Sequence, residues 1–541
     1  MVASLFGITL RRKLLNRKAV RFARNFENPV YSYHSERIFE GDIIRSVESY
    51  SVLVQNLYMN KEHFAVITVG AGLSGISAGY HLQKLCPGKK YTILESRADI
   101  GGTWSLFRYP GIRSDSDMFT LGYSFRPWKE AKAIADGPSI LNYVRETASE
   151  FGIDRNIRFE HRVTSTSWSS KENFWTINVE VGPKKEKRTY TADFLYICSG
   201  YYNYDRGFTP NFPGVKNFKG QIIHPQHWPE NLDYKGKKVV VIGSGATAVT
   251  LVPSMADDAS HVTMLQRSPT YITSLPSKDI VADFLRFILP AKLAHHITRV
   301  KNILIQIWFY QICKRSPNFA KWLIRARLKA SLPKGYDIDT HFKPNYQPWD
   351  QRVCLVPDSD LFKAISKGKA SIVTDHIETF TSKGIKLRSG KELEADIIVT
   401  ATGLELLAIG GIQLKVDGEE IDISKQFTFK GLMLSGVPNF AFCVGYTNAS
   451  WTLRADLTST YVARLLNHME SKGYKQCVPI CDPAKMEKEP ILDLNSGYIQ
   501  RAIDQFPQRG ANRPWRFHQN YLMDLLDINF ANVNDSNLSF G

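Results

Sequence analysis

Two glycine-rich turns, each set between an apolar run and an amphipathic segment, constrain this chain more than any other feature. The first is "VITVGAGLSGISAG", followed by a second apolar run, "YTILE". A short apolar run ending in glycine is the pattern of a buried parallel strand. Each glycine answers a separate steric demand. Gly70 permits the tight bend, Gly72 lets backbone approach a pyrophosphate, and Gly75 lets the following helix pack on the strand. The helix start, with Ser74, offers free N–H groups to phosphates. Glu95 closes the second strand about 20 residues further on, where a carboxylate binds ribose hydroxyls. The second copy reads "KKVVVIGSGATA", with Gly243, Ser244, Gly245, Ala246, Thr247 and Ala248, the last in the third glycine's place. Its closing strand, "HVTMLQR", ends in Gln266 and Arg267 rather than an acid. A cation there suits a 2′-phosphate that a carboxylate would repel. Arg267 as a solvated surface charge is the plainer alternative.

Two dinucleotides on one chain point to hydride transfer between nicotinamide and flavin, with FAD expected at the first turn and NADPH at the second. "ADFLYICSG" (192–200) and "ADIIVTATG" (395–403) flank the second unit as matched strands ending in a small residue and glycine. The expected fold is therefore α/β, with two Rossmann-like domains, the NADP domain inserted into the FAD domain, and a helical insertion. The expected boundaries are a basic extension at 1–60, FAD domain at 61–205, NADP domain with its linker at 206–270, helical insertion at 271–334, NADP domain again at 335–378, and FAD domain with the C-terminal region at 379–541.

Composition narrows the surroundings. Seven cysteines in 541 residues form no disulfide framework, and "CVPIC" lacks the spacing of a zinc or thioredoxin pair. A reducing, intracellular compartment and no structural metal follow as expectations. The formal charge of +17 is concentrated in two places. Residues 1–26 carry seven Lys/Arg and no acid, as a mitochondrial presequence does, so a cytoplasmic or mitochondrial location fits, as does an extension without a targeting role. Residues 282–334 are basic and amphipathic. They either cover a domain or lie on a membrane surface as a peripheral attachment. No nucleic-acid motif is present. Oligomeric state is not legible.

"GGTWSLFRYPGIRSD" and "FKGQIIHPQHWP" resemble, at every fixed position, the two signatures of flavin-dependent Baeyer–Villiger monooxygenases. The likeness runs from about residue 64 to the C-terminal region and is strongest to the subgroup holding the mycobacterial ethionamide-activating enzyme. Simpler flavin monooxygenases carry Tyr or Phe then Lys in place of Trp228 and Pro229. The resemblance implies that NADPH reduces FAD, that O2 adds to give a C4a-peroxyflavin, and that this attacks a ketone to yield an ester or lactone. The same intermediate, protonated, oxygenates sulfur or nitrogen, so thioethers are the alternative substrates.

By the same resemblance Arg352, in "YQPWDQRVC", steadies the charged oxygen adduct, and Asp115 orients it. Arg352 in a structural ion pair is the competing reading. Gly102, Thr103, Trp104, Ser105, Leu106, Asp115 and Val163 fall on the flavin side, with Arg113 and Ser114 beside the NADP. Trp104 as core filling stays open. The resemblance also implies that Phe218, Gly220, His224, Trp228 and Pro229 form a linker coupling cofactor binding to domain rotation, so His224 is not expected to be catalytic. A disulfide reductase is excluded, because Cys86 has no partner near the first turn. A non-catalytic membrane-surface flavoprotein is the remaining alternative.

Overall fold

A computed structural model describes residues 62–541. The basic extension expected at 1–60 lies outside the described residues. In the body His63–Gly541, each glycine turn follows a central strand of its own sheet.

The first sheet centres on the strand His63–Val69, which pairs in parallel with Tyr91–Leu94 on one side and Glu186–Ile197 on the other. The strand Phe174–Val181 pairs antiparallel with the last of these, His161–Ser169 pairs antiparallel with Phe174–Val181 in turn, and Phe440–Phe442 returns to pair beside residues 195–197. Ile67, Ile93 and Leu195 are fully buried, as both-face coverage requires. At the end of the central strand Gly70 takes φ +102°, and a methyl there would meet the carbonyl oxygen of Cys198 at 2.7 Å. The helix Leu73–Leu85 then packs against the long helix Trp451–Lys472, and Ser77 Oγ donates to Asp456 at 2.8 Å.

The second sheet is wholly parallel, in the order Ala370–Thr374, His261–Gln266, Lys238–Ile242, Ile397–Thr400 and Gln221–Ile223. Gly243 repeats the first turn's geometry with φ +137°, and a methyl there would meet Ala401 O at 2.3 Å. This sheet extends further along the chain than expected. Ile397–Thr400 lies beside Val239–Ile242, so the return to the first sheet comes after Thr400 rather than at 379. The matched exits do meet. After Gly200 and Gly403 the chain forms two short strands, Tyr202–Gly207 and Leu404–Leu406, that pair antiparallel. The crossings between sheets are thus hydrogen-bonded to each other.

The strands Ile272–Leu275 and Cys354–Pro357 pair in parallel and frame the insertion. Between them lie three long helices, Ile280–Ile288, Ala291–Arg315 and Pro317–Ser331, and the short helix Ile338–Phe342. Beyond Trp451–Lys472 the C-terminal segment is tied back by Arg454 and Asp524, whose ion pair at 2.9 Å is buried on both sides.

Candidate functional site

A cleft of about 1100 Å³ is lined by both glycine turns, and residues from the insertion frame and the C-terminal segment close it. On the flavin side, Gly70, Gly72 and Ser74 reach it from the first turn, and Gly102, Thr103, Trp104 and Leu106 from the segment opposite. Gly102 has φ +56°, and a methyl on it would approach Gly72 Cα to 3.1 Å, so two bare backbones face one another across the turn. Glu95 is buried at the strand end and accepts from Ala71 N at 2.7 Å and Arg97 N at 2.9 Å. Burial pushes its carboxyl above the ordinary range, and the two backbone donors oppose that shift. Val163 adds an apolar wall. Trp104 packs on the core and also lines the cleft. Ser74 Oγ accepts from the indole of Trp451 at 2.7 Å.

On the nicotinamide side, Gly243, Ser244, Gly245, Ala246 and Thr247 line the cleft ahead of the helix Ala246–Met255. Ser244 Oγ is shared with Ser268 O and Thr270 Oγ1. A methyl built on Gly245 meets nothing within 4 Å, so open space lies above this turn. Arg267 is exposed at the cleft rim, where Arg388 joins it. Arg113 pairs with Asp360 at 2.5 Å through Nη1, and its buried Nε and Nη2 have no hydrogen-bond partner among the described residues. Ser114 is buried and hydrogen-bonded locally to Ser116.

Between the two sides stands Arg352. Its Nη1 lies 4.0 Å from Asp115 Oδ2, its Nη2 donates to Thr447 O at 3.4 Å, and its buried Nε has no partner among the described residues. Burial pushes the Asp115 carboxyl upward, and Arg352 and Arg113 pull it back. Burial works against the charge of Arg352, but Tyr498, Tyr201, Asp115 and Tyr202 outweigh it, so the guanidinium stays cationic. The loop holding Arg352 is clamped by Asp350, which pairs with Lys314 at 3.3 Å and accepts from Asn495 N at 2.7 Å.

Four expected residues do not line the cleft. Gly75 and Ala248 do the packing their positions imply; a methyl on Gly75 would fall 1.8 Å from Gly70 O, while the Ala248 methyl is accommodated and fully buried. Ser105 turns to Arg97, whose Nη1 donates to it at 2.7 Å. Gln266 is a correction, because its amide donates to His341 O and Thr374 Oγ1, both at 2.8 Å, and points away from the cleft.

The linker residues also sit apart from the cleft. His224 Nδ1 accepts from Gln226 N at 3.2 Å, which leaves Nε2 to donate to Gly403 O at 3.3 Å. Burial holds His224 below its ordinary range, in the neutral form this arrangement needs. The linker is thereby fastened to the second interdomain crossing. Phe218 packs in the second sheet's core, Trp228 against its other face, and a methyl on Gly220 would meet Asp396 O at 2.2 Å. Sequence reasoning missed Arg388, Tyr201, Tyr202 and Tyr498, which reach the cleft from separate segments.

The two sides fit a flavin dinucleotide and a phosphorylated nicotinamide dinucleotide: bare glycine backbone where phosphates approach, an acid beyond one turn, and two arginines beyond the other. Comparison with known proteins agrees. The model of the family described as flavin-binding monooxygenase-like matches residues 62–407. The FAD-containing monooxygenase EthA of Mycolicibacterium smegmatis is 55% identical over 480 residues, covering 88% of this chain and 97% of that protein. Its namesake in Mycobacterium tuberculosis is 53% identical, covering 88% and 98%. Among solved structures, an oxidized steroid monooxygenase bound to NADP superposes with TM-score 0.71 at 20% identity, covering 88% and 99%. An open cyclohexanone monooxygenase gives 0.70 at 19%, covering 89% and 100%, so the fold is shared. With the motif, the cleft and these relatives in agreement, the chain belongs to the flavin-binding monooxygenase-like family and is a flavin-containing monooxygenase.

Proposed function

We propose that this monooxygenase uses FAD, NADPH and O2 to convert ketones into esters or lactones, consuming one NADPH and one proton and releasing water. The observation that carries the reading is the Arg352–Asp115 pair, set in one cleft with both glycine turns. The likeness of the 101–115 and 218–229 segments to Baeyer–Villiger signatures supports the ketone as substrate.

The bound flavin supplies hydride acceptance and oxygen activation. Gly70, Gly72 and the Leu73–Leu85 N-terminus would hold its pyrophosphate, with Glu95 toward the ribose. Gly243, Gly245 and the Ala246–Met255 N-terminus would hold the nicotinamide dinucleotide, with Arg267 and Arg388 toward its 2′-phosphate and the two free nitrogens of Arg113 toward its body. Arg352, which lines the cleft, would set a cation where negative charge gathers on oxygen, and a charge already in place needs no reorganisation as the reaction proceeds. Asp115 holds that guanidinium in position through its charge. Tyr201, Tyr202 and Tyr498 line the same cleft, and burial pushes their phenols up, so they remain neutral.

The test is to follow NADPH consumption by the purified yellow protein across ketones and thioethers, with products identified. Esters or lactones formed in step with NADPH support the proposal. Sulfoxides alone would replace ketone by sulfur oxygenation as its chemistry.

A further inference from the structure

The helical insertion has a surface that neither cofactor explains. Between residues 280 and 334 the sequence holds eleven Lys/Arg and one acid, Asp283. In the structure thirteen large apolar residues between 280 and 322 are exposed, including Phe284 at 60%, Phe287 at 88%, Trp308 at 60% and Trp322 at 62%. Scattered single apolar side chains are normal on a protein surface, but a concentration of this kind marks a contact face.

The longest helix is inverted. Along Ala291–Arg315, the exposed residues Leu293, Ile297, Val300, Leu304 and Trp308 recur every three or four positions, which places them in one stripe. Its buried side mixes the apolar Ala294, Ile303 and Cys313 with the polar His295, Thr298 and Arg299. Arg299 Nη1 donates to Phe119 O at 2.8 Å and Gly122 O at 2.7 Å, while Asn302 and Gln306 each donate to Asp117 at 2.9 Å. These bonds fix the helix's rotation, so the apolar stripe is held outward.

The same holds for Ile280–Ile288, whose Arg286 donates to Trp128 O at 2.9 Å and whose capping Asp279 accepts from Lys301 at 2.6 Å. The middle helix packs against both others, and on the third Phe319 and Trp322 stack with ring centres 5.7 Å apart. Exposed cations, among them Lys292, Lys314, Arg315, Arg327 and Lys329, lie on these same helices.

We propose that this three-helix face docks on an anionic lipid surface, its apolar side chains entering the headgroup boundary and its cations meeting lipid phosphates. Apolar and aromatic side chains beside a near-unbroken set of cations form the chemistry of interfacial helices. Among the described residues no helix is long and apolar enough to cross a membrane, so the contact is peripheral. A second copy would present the same positive face, and like charges oppose that pairing.

The test uses the full-length yellow protein in flotation with vesicles of phosphatidylcholine alone and of phosphatidylcholine mixed with phosphatidylglycerol. The protein should float with the anionic vesicles only, less so as salt rises. The triple variant Phe284→Ser/Phe287→Ser/Trp322→Ser should bind at least roughly tenfold more weakly, while its flavin content and vesicle-free NADPH oxidation stay at wild-type values. Charge reversal by Arg327→Glu/Lys329→Glu should weaken binding to anionic vesicles several-fold. Wild-type binding by the triple variant, as expected if the basic residues 11–24 were the anchor, would overturn the proposal. So would failure of the unaltered protein to float, or its dimerisation with the triple variant monomeric.

Discussion

Arg352 and Asp115 meet across the cleft from distant parts of the chain, with Nη1 4.0 Å from Oδ2. That distance makes them a charge pair rather than a hydrogen bond. Among the described residues the guanidinium has one hydrogen-bond acceptor, Thr447 O, at 3.4 Å. Removing the carboxylate therefore leaves one long bond to aim the cation. Asp115→Asn should lower product formation by roughly 10²-fold while the rate of flavin reduction by NADPH stays near wild type. Rapid mixing without and with oxygen separates the two. Equal loss in both would assign Asp115 to NADPH binding instead.

The two turns differ in what a methyl group would meet. Gly75→Ala forces a carbon to within 1.8 Å of Gly70 O, so this variant should be insoluble or colourless. Gly245→Ala meets no atom of the protein, so its thermal midpoint should match wild type. Its methyl occupies space assigned to the dinucleotide, and the KM for NADPH should rise several-fold. An unchanged KM would place the cofactor elsewhere.

Arg267 and Arg388 share the cleft rim. A charge-assisted hydrogen bond is worth about 1.5–3 kcal/mol, so either alanine variant should weaken NADPH by roughly 10- to 100-fold. NADH, which lacks the 2′-phosphate, should be little affected. Equal losses for both cofactors would remove the pair from phosphate recognition.

The glycine turns were legible because backbone geometry leaves few other residues able to occupy them: Gly70 and Gly243 both sit at positive φ against a neighbouring carbonyl. Arg388 and Tyr498 were not, since long-range folding alone brings them to the cleft and no local period marks them. Gln266 was misread through its neighbour. Successive strand residues face opposite sides, so a cleft-facing Arg267 turns Gln266 away. The boundary near 379 was misplaced because Ile397–Thr400 has the same apolar grammar as the strand of the other sheet, and only pairing tells them apart.

His295 offers a test of the insertion's packing. It is 2% exposed, and among the described residues neither ring nitrogen has a hydrogen-bond partner. Burial, then the charges of Arg299, His296 and Arg286, hold its pKa down to about 4. The folded value lies below the unfolded value of about 6.5, so the unfolded chain binds the proton more tightly. Stability should thus be intact above about pH 6.5 and fall as pH drops toward about 4, by on the order of 3 kcal/mol. His295→Leu should flatten that decline in denaturant titrations. An unchanged slope would show that other groups cause it.

The most direct measurement is a paired rapid-mixing experiment on Arg352→Ala. With NADPH and no oxygen, the flavin should lose its yellow colour at close to the wild-type rate. On admitting oxygen with a ketone, NADPH should be consumed and hydrogen peroxide released, with ester yield at least roughly 10²-fold lower. Wild-type ester yield from this variant would contradict the account.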